Sequence, residues 1–163
     1  MNEKLIIGTW ILERFELKNL SLNKTSYPYG QNPIGILIFS SDGYMSVTIM
    51  SDNRKNFAVE SLLGASLEEK ANAAETYLSY SGRWRIDKDK IFVTVLVSLL
   101  PNLKNKEHFR TFQITNENLL LRTPIITQEE SNILIELSWQ KLNLLFGINV
   151  YYVTSTKFIW TTI

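Results

Sequence analysis

The stretch Gly35–Met50, GILIFSSDGYMSVTIM, decides how the rest of the chain is read. Two apolar runs, Gly35–Phe39 and Tyr44–Met50, flank Ser40-Ser41-Asp42-Gly43. An Asp-Gly pair between β-prone runs signals a hairpin, because glycine takes the positive φ that tight strand connections need. Outward from this hairpin the same grammar repeats. Further strands are expected over Ile6–Leu17, Arg83–Ile86, Ile91–Ser98, His108–Ile114, Leu119–Thr123 and Ile133–Gln140. The segments between them carry turn residues: Asp87-Lys88-Asp89-Lys90, Pro101-Asn102, Thr115-Asn116-Glu117-Asn118 and Gln128–Asn132.

One segment departs from this pattern. Ser66-Leu67-Glu68-Glu69 has the form of a capping box, with a hydroxyl for the Glu69 amide and a glutamate returning to the cap. Leu67, Ala71, Ala74 and Leu78 then share one stripe at helical spacing, and the early acids suit the N-terminal dipole. The pattern predicts an amphipathic helix of about three turns, ended by Gly82, that buries its stripe on a sheet or a barrel end. Many short antiparallel strands with one helix leave two architectures, a sandwich or a closed barrel. Ile36–Phe39 and Ile91–Val97 are apolar on both faces and do not choose between them. Closure would remove the exposed edges that apolar strands otherwise have to protect.

The whole chain, 163 residues with 45% hydrophobic and 20% charged, is expected to form one domain over 1–163. No linker, low-complexity run or internal repeat divides it. With 17 basic and 16 acidic residues the net charge is +1, so neither nucleic acid nor an anionic membrane surface is an expected partner. There is no cysteine, hence no disulfide framework, no thiolate nucleophile and no Cys-based zinc site. The single histidine, His108, excludes metal sites built from several imidazoles. No metal and no cofactor is expected. No G-x-G-x-x-G, P-loop, G-x-S-x-G or H-E-x-x-H motif occurs. The N-terminus carries no basic segment followed by an apolar run, and a cytoplasmic location is expected.

Gly8-Thr9-Trp10 resembles the G-x-W signature on the first strand of lipocalin and calycin barrels. Further landmarks follow in order: Tyr27-Pro28-Tyr29-Gly30, Pro33 with Gly35, Asp42-Gly43-Tyr44-Met45, Tyr77 with Tyr80-Ser81-Gly82, Leu100-Pro101-Asn102, Arg110, Thr123-Pro124 and Trp139. Together they resemble the bacterial and fungal lipocalin-like domain family over residues 5–141. The resemblance implies an all-β, antiparallel up-and-down barrel with a central cavity and one inserted α-helix. Function comes only by analogy, because one fold hosts many functions. Two departures stand out. Lipocalins commonly set an arginine of the last strand against the first-strand tryptophan, where this chain offers Lys141. An apolar tail, 142–163, extends beyond the resemblance.

Trp10 and Trp139 are expected to pack the barrel floor, since large aromatics fill small barrels. Trp84 is read likewise. His108 and Arg110 stand two apart on one strand and so share a face. If that face is the lumen, Arg110 can hold an anion while His108 moves a proton, and the cation favours the neutral imidazole. The neighbouring Lys104, Lys106 and Glu107 argue instead for a surface position of His108. These two residues are the catalytic candidates, and the ligand-binding candidates are Tyr29, Tyr44, Tyr80 and Arg110. Tyr77 belongs to the same aromatic set. Glu13 and Glu136 read as acids on solvated sheet faces.

Three functions follow. The first is a barrel that binds a small hydrophobic or amphipathic molecule. The second is a small-molecule isomerase or cyclase of a natural-product type of pathway, using His108, Arg110 or a tyrosine. The third is a structural module with a filled barrel. A void of a few hundred cubic ångströms distinguishes the first two from the third, and a void without His108 on its wall favours the first. The tail 142–163, β-branched and aromatic with one charge at Lys157, reads as one or two added strands rather than a membrane helix. Covering its apolar edge predicts a homodimer.

Overall fold

The computed structural model describes residues 3–128 and 131–142. The strands are β1 (Gly8–Asn19), β2 (Lys24–Ser26), β3 (Ile34–Phe39), β4 (Tyr44–Met50), β5 (Tyr77–Asp87), β6 (Lys90–Ser98), β7 (Glu107–Ile114), β8 (Asn118–Arg122), β9 (Ile126–Gln128) and β10 (Ser131–Lys141). All pairings are antiparallel. The order β1-β3-β4-β5-β6-β7-β8-β10 closes on itself, because β10 returns to pair with β1 along Trp10↔Lys141 through Asn19↔Ile133. The result is a closed, eight-stranded up-and-down barrel, and β2 and β9 extend the wall beside β1 and β10 at one end.

Alternation sets the interior. On β3 the pattern is strict: Gly35, Leu37 and Phe39 are buried while Ile34, Ile36 and Ile38 face outward. The central hairpin forms as the Asp-Gly pair predicts. Gly43 sits at φ +86°, and the Ser40 amide donates to the Tyr44 carbonyl at 2.8 Å. At the opposite end of the barrel lie the longer connections, including the short 3-10 turn Pro101–Leu103 and helix α1 (Leu67–Glu75). That end is the mouth.

The helix differs from the expectation. Its capping box is present, with Ser66 Oγ accepting from the Glu69 amide at 3.2 Å and Glu69 accepting from the Ser66 amide at 2.8 Å. It stops after Glu75, however, and none of its residues is buried; Leu67 is 86% exposed. The expected stripe is broken because β4 claims the following segment, pairing Met50 with Tyr77 and Ile49 with Leu78. Leu78 therefore belongs to the barrel rather than to the helix. Gly82 does not terminate a helix but lies inside β5, at the irregularity where β5 and β6 shift register. The tail expected to add strands, residues 143–163, lies outside the described residues. Among the described residues no helix is long and apolar enough to cross a membrane.

Candidate functional site

The closed end is built on Trp10. Its ring is fully buried, its indole N–H donates to the Ile6 carbonyl at 2.8 Å, and the Lys141 ammonium stands 5.1 Å above it. Lys141 also donates to the Leu5 carbonyl at 2.6 Å, so the lysine ties the end of β10 to the N-terminal turn over the tryptophan. Trp139 lies next to this floor, paired across the β1–β10 closure with Leu12. Trp84 packs edge-on against Phe39 and donates to the Ser40 carbonyl at 3.2 Å, which ties the central hairpin to β5.

Above the floor the inward side chains leave a cavity of about 460 Å³. At ~30 Å³ per liquid water this is room for roughly fifteen waters, or one small organic molecule. Its wall is mainly aliphatic and aromatic, from Leu37, Phe39 and Val47 through Ile91, Leu121 and Leu137. Such a wall with few polar groups is the usual make-up of a small-molecule site.

The polar groups on that wall are few. His108 and Arg110 both point into the cavity from β7, with His108 nearer the mouth. The His108 ring is T-shaped against Tyr80, centroids 5.2 Å apart, and neither of its buried nitrogens has a hydrogen-bond partner. Burial first, and then the Arg110 guanidinium, push its pKa from 6.5 down to about 4. The imidazole is therefore neutral near pH 7. Trp139 also reaches the wall, and its buried indole N–H is likewise without a partner. Tyr29, from the connection between β2 and β3, lies edge-on to Phe15 at 4.8 Å, and burial raises the pKa of its phenol.

The tyrosines read from the sequence thus divide. Tyr29 and Tyr80 line the cavity together with Arg110 and His108. Tyr44 does not: it is 40% exposed on the outer face, with the Arg83 guanidinium 5.3 Å from its ring. Tyr77 is similarly outside, beneath Arg54 at 4.9 Å. Glu136 is also remote from the cavity. Burial would raise its pKa, but hydrogen bonds from Lys18 at 2.8 Å and Arg122 at 2.6 Å outweigh this and hold it below the ordinary value. Leu103, Ile126 and Ile135 also line the wall without having been singled out in the sequence, while Leu78 was read as a helix residue and Leu100 as a family landmark. Their apolar character was visible, but which apolar residues surround a void depends on closure. Among the described residues no group of three or more His, Asp or Glu side chains is placed to hold a metal ion.

The family model of the lipocalin-like domain matches residues 7–142. Among solved structures, a lipocalin-like protein from Bacteroides uniformis is 10% identical, with 85% of this chain and 99% of that chain covered and a TM-score of 0.44. An uncharacterized protein from Bacteroides eggerthii is 13% identical, with 84% and 99% covered and a TM-score of 0.40. No curated protein matches the chain.

Proposed function

The chain belongs to the lipocalin-like domain family, and from that premise we propose that it binds one small hydrophobic or amphipathic molecule inside the barrel. The observation that carries this reading is the barrel cavity of about 460 Å³, apolar over most of its wall. A filled barrel, as a purely structural module requires, would leave no such space. In this reading Tyr29, Tyr80 and Arg110 supply the polar contacts, while Trp10 and Trp139 close the floor beneath the ligand.

A second reading, a small-molecule isomerase or cyclase, draws support from one observation. His108 is neutral, on the wall and unpartnered, which is the condition of a general base awaiting a substrate proton. Binding remains the better-supported reading, since His108 is the sole histidine and among the described residues no acid lines the cavity.

Protein purified without detergent and examined by untargeted mass spectrometry is expected to release one compound in near-stoichiometric amount. An apolar fluorescent probe should bind the emptied protein and be displaced by that compound. Failure of every apolar probe to enter the emptied barrel overturns the binding reading.

A further inference from the structure

The cavity wall has an unbalanced charge. Arg110 reaches it, but among the described residues no Asp, Glu or Lys does. Among the described residues Arg110 forms no ion pair; the arginines that do are Arg85, with Glu107, and Arg122, with Glu136. The polar groups around it are unsatisfied too. Both His108 nitrogens and the Trp139 indole N–H belong to residues of the same cavity and have no hydrogen-bond partner among the described residues. Folded proteins leave few buried polar groups unpaired, so each that remains calls for a water, an ion or a ligand to satisfy it. Here the guanidinium on β7 and two N–H donors of the same cavity, one from the neutral imidazole on β7 and one from the indole on β10, have no acceptor among the described residues.

The missing partner is therefore an acceptor, and its charge is bounded. With His108 neutral, the described residues of the wall carry a single positive charge. A dianion would leave one negative charge uncompensated in an apolar cavity, and a neutral ligand would leave the guanidinium so. A carboxylate fits this set. Its two oxygens match the guanidinium fork, and its spare lone pairs accept from a neighbouring N–H. Beyond Arg110 the wall returns to Leu121, Leu137 and the Trp139 ring, so the rest of the ligand must be apolar. We propose that the cavity selects an apolar monocarboxylate, its carboxylate docked on the Arg110 guanidinium and accepting from a His108 N–H. The inference rests on the cavity being a binding site and adds the chemical class of what enters it.

Isothermal titration of the emptied protein with decanoate and with 1-decanol, at neutral pH and fixed ionic strength, tests it. The wild-type protein is expected to bind decanoate about tenfold tighter than decanol. Arg110→Gln should remove that preference. His108→Gln should reduce the preference for decanoate by about threefold. Arg110→Lys keeps the charge without the fork and should retain part of the preference. Equal affinity for the acid and the alcohol in the wild-type protein overturns the proposal without recourse to any variant, as does an Arg110→Gln protein that keeps the preference. Decanol binding in the absence of a preference leaves the cavity reading standing. If neither compound binds, both readings fall.

Discussion

The indole of Trp10 is sealed from solvent, donates to the Ile6 carbonyl and lies under the Lys141 ammonium, so one side chain joins the N-terminal turn, β1 and the end of β10. Trp10→Ala should cost about 3–5 kcal/mol, the range of large core aromatics, read as a fall in thermal midpoint well beyond that of His108→Ala. A truncation there as harmless as the one at His108 would mean that the floor does not depend on this ring. His108 carries a different prediction. Its folded pKa, about 4, lies below the ordinary 6.5, so the unfolded chain binds the extra proton first. The contribution of the neutral imidazole to stability is thus complete above about pH 6.5 and lost as pH falls toward 4. Discounted for partial solvent access, the loss is on the order of 1 kcal/mol, or roughly 2–4 °C. Thermal melts across this range should show a steeper acid decline for the wild-type protein than for His108→Gln. Parallel declines would place the imidazole in water. The sequence shows that His108 and Arg110 share a face, because strand periodicity is local. It does not show which face, and the charged residues before His108 point to the wrong one.

Among the elements, those specified by short-range chemistry were readable. The Asp42-Gly43 hairpin and the Ser66–Glu69 capping box each need only residues a few positions apart, and both form. The end of α1 was not readable, because Tyr77 and Leu78 are drawn into β5 by pairing with β4, whose residues lie more than twenty-five positions earlier in the chain. Three-residue β2 and β9 are too short to carry a periodic pattern. Gly82 illustrates the same limit. A Cβ there would overlap the Thr94 carbonyl oxygen and press on Val95 Cα at 3.0 Å, so the close approach of β5 and β6 requires glycine. Gly82→Ala should destabilise by about 1–3 kcal/mol through backbone displacement, and hydrogen exchange should show lost protection along β5 and β6. An unchanged melt and unchanged exchange would contradict that packing.

Across the barrel, Ile34, Ile36 and Ile38 expose 43–52% of their surface on the outer face of β3. The described chain leaves at Leu142, whose amide donates to Thr9 on the strand next to β3. An apolar outer face beside the start of an apolar tail is best covered by a second copy. Light scattering of the full chain should give twice the 18.9 kDa mass, and truncation after Lys141 a monomer or an insoluble protein. A full-length monomer at high concentration would dismiss the dimer. The strands, the Asp-Gly hairpin, the helix start and the candidate pair on β7 follow from the sequence, because each rests on periodicity, capping or turn chemistry within a dozen residues. The ordered landmarks added the barrel as a resemblance. Tertiary structure alone decided that β1 and β10 meet, that His108 and Arg110 face inward while Tyr44 faces out, and that a cavity remains. Closure fixes the direction of every strand face at once, through contacts between residues more than a hundred positions apart, which no local pattern encodes.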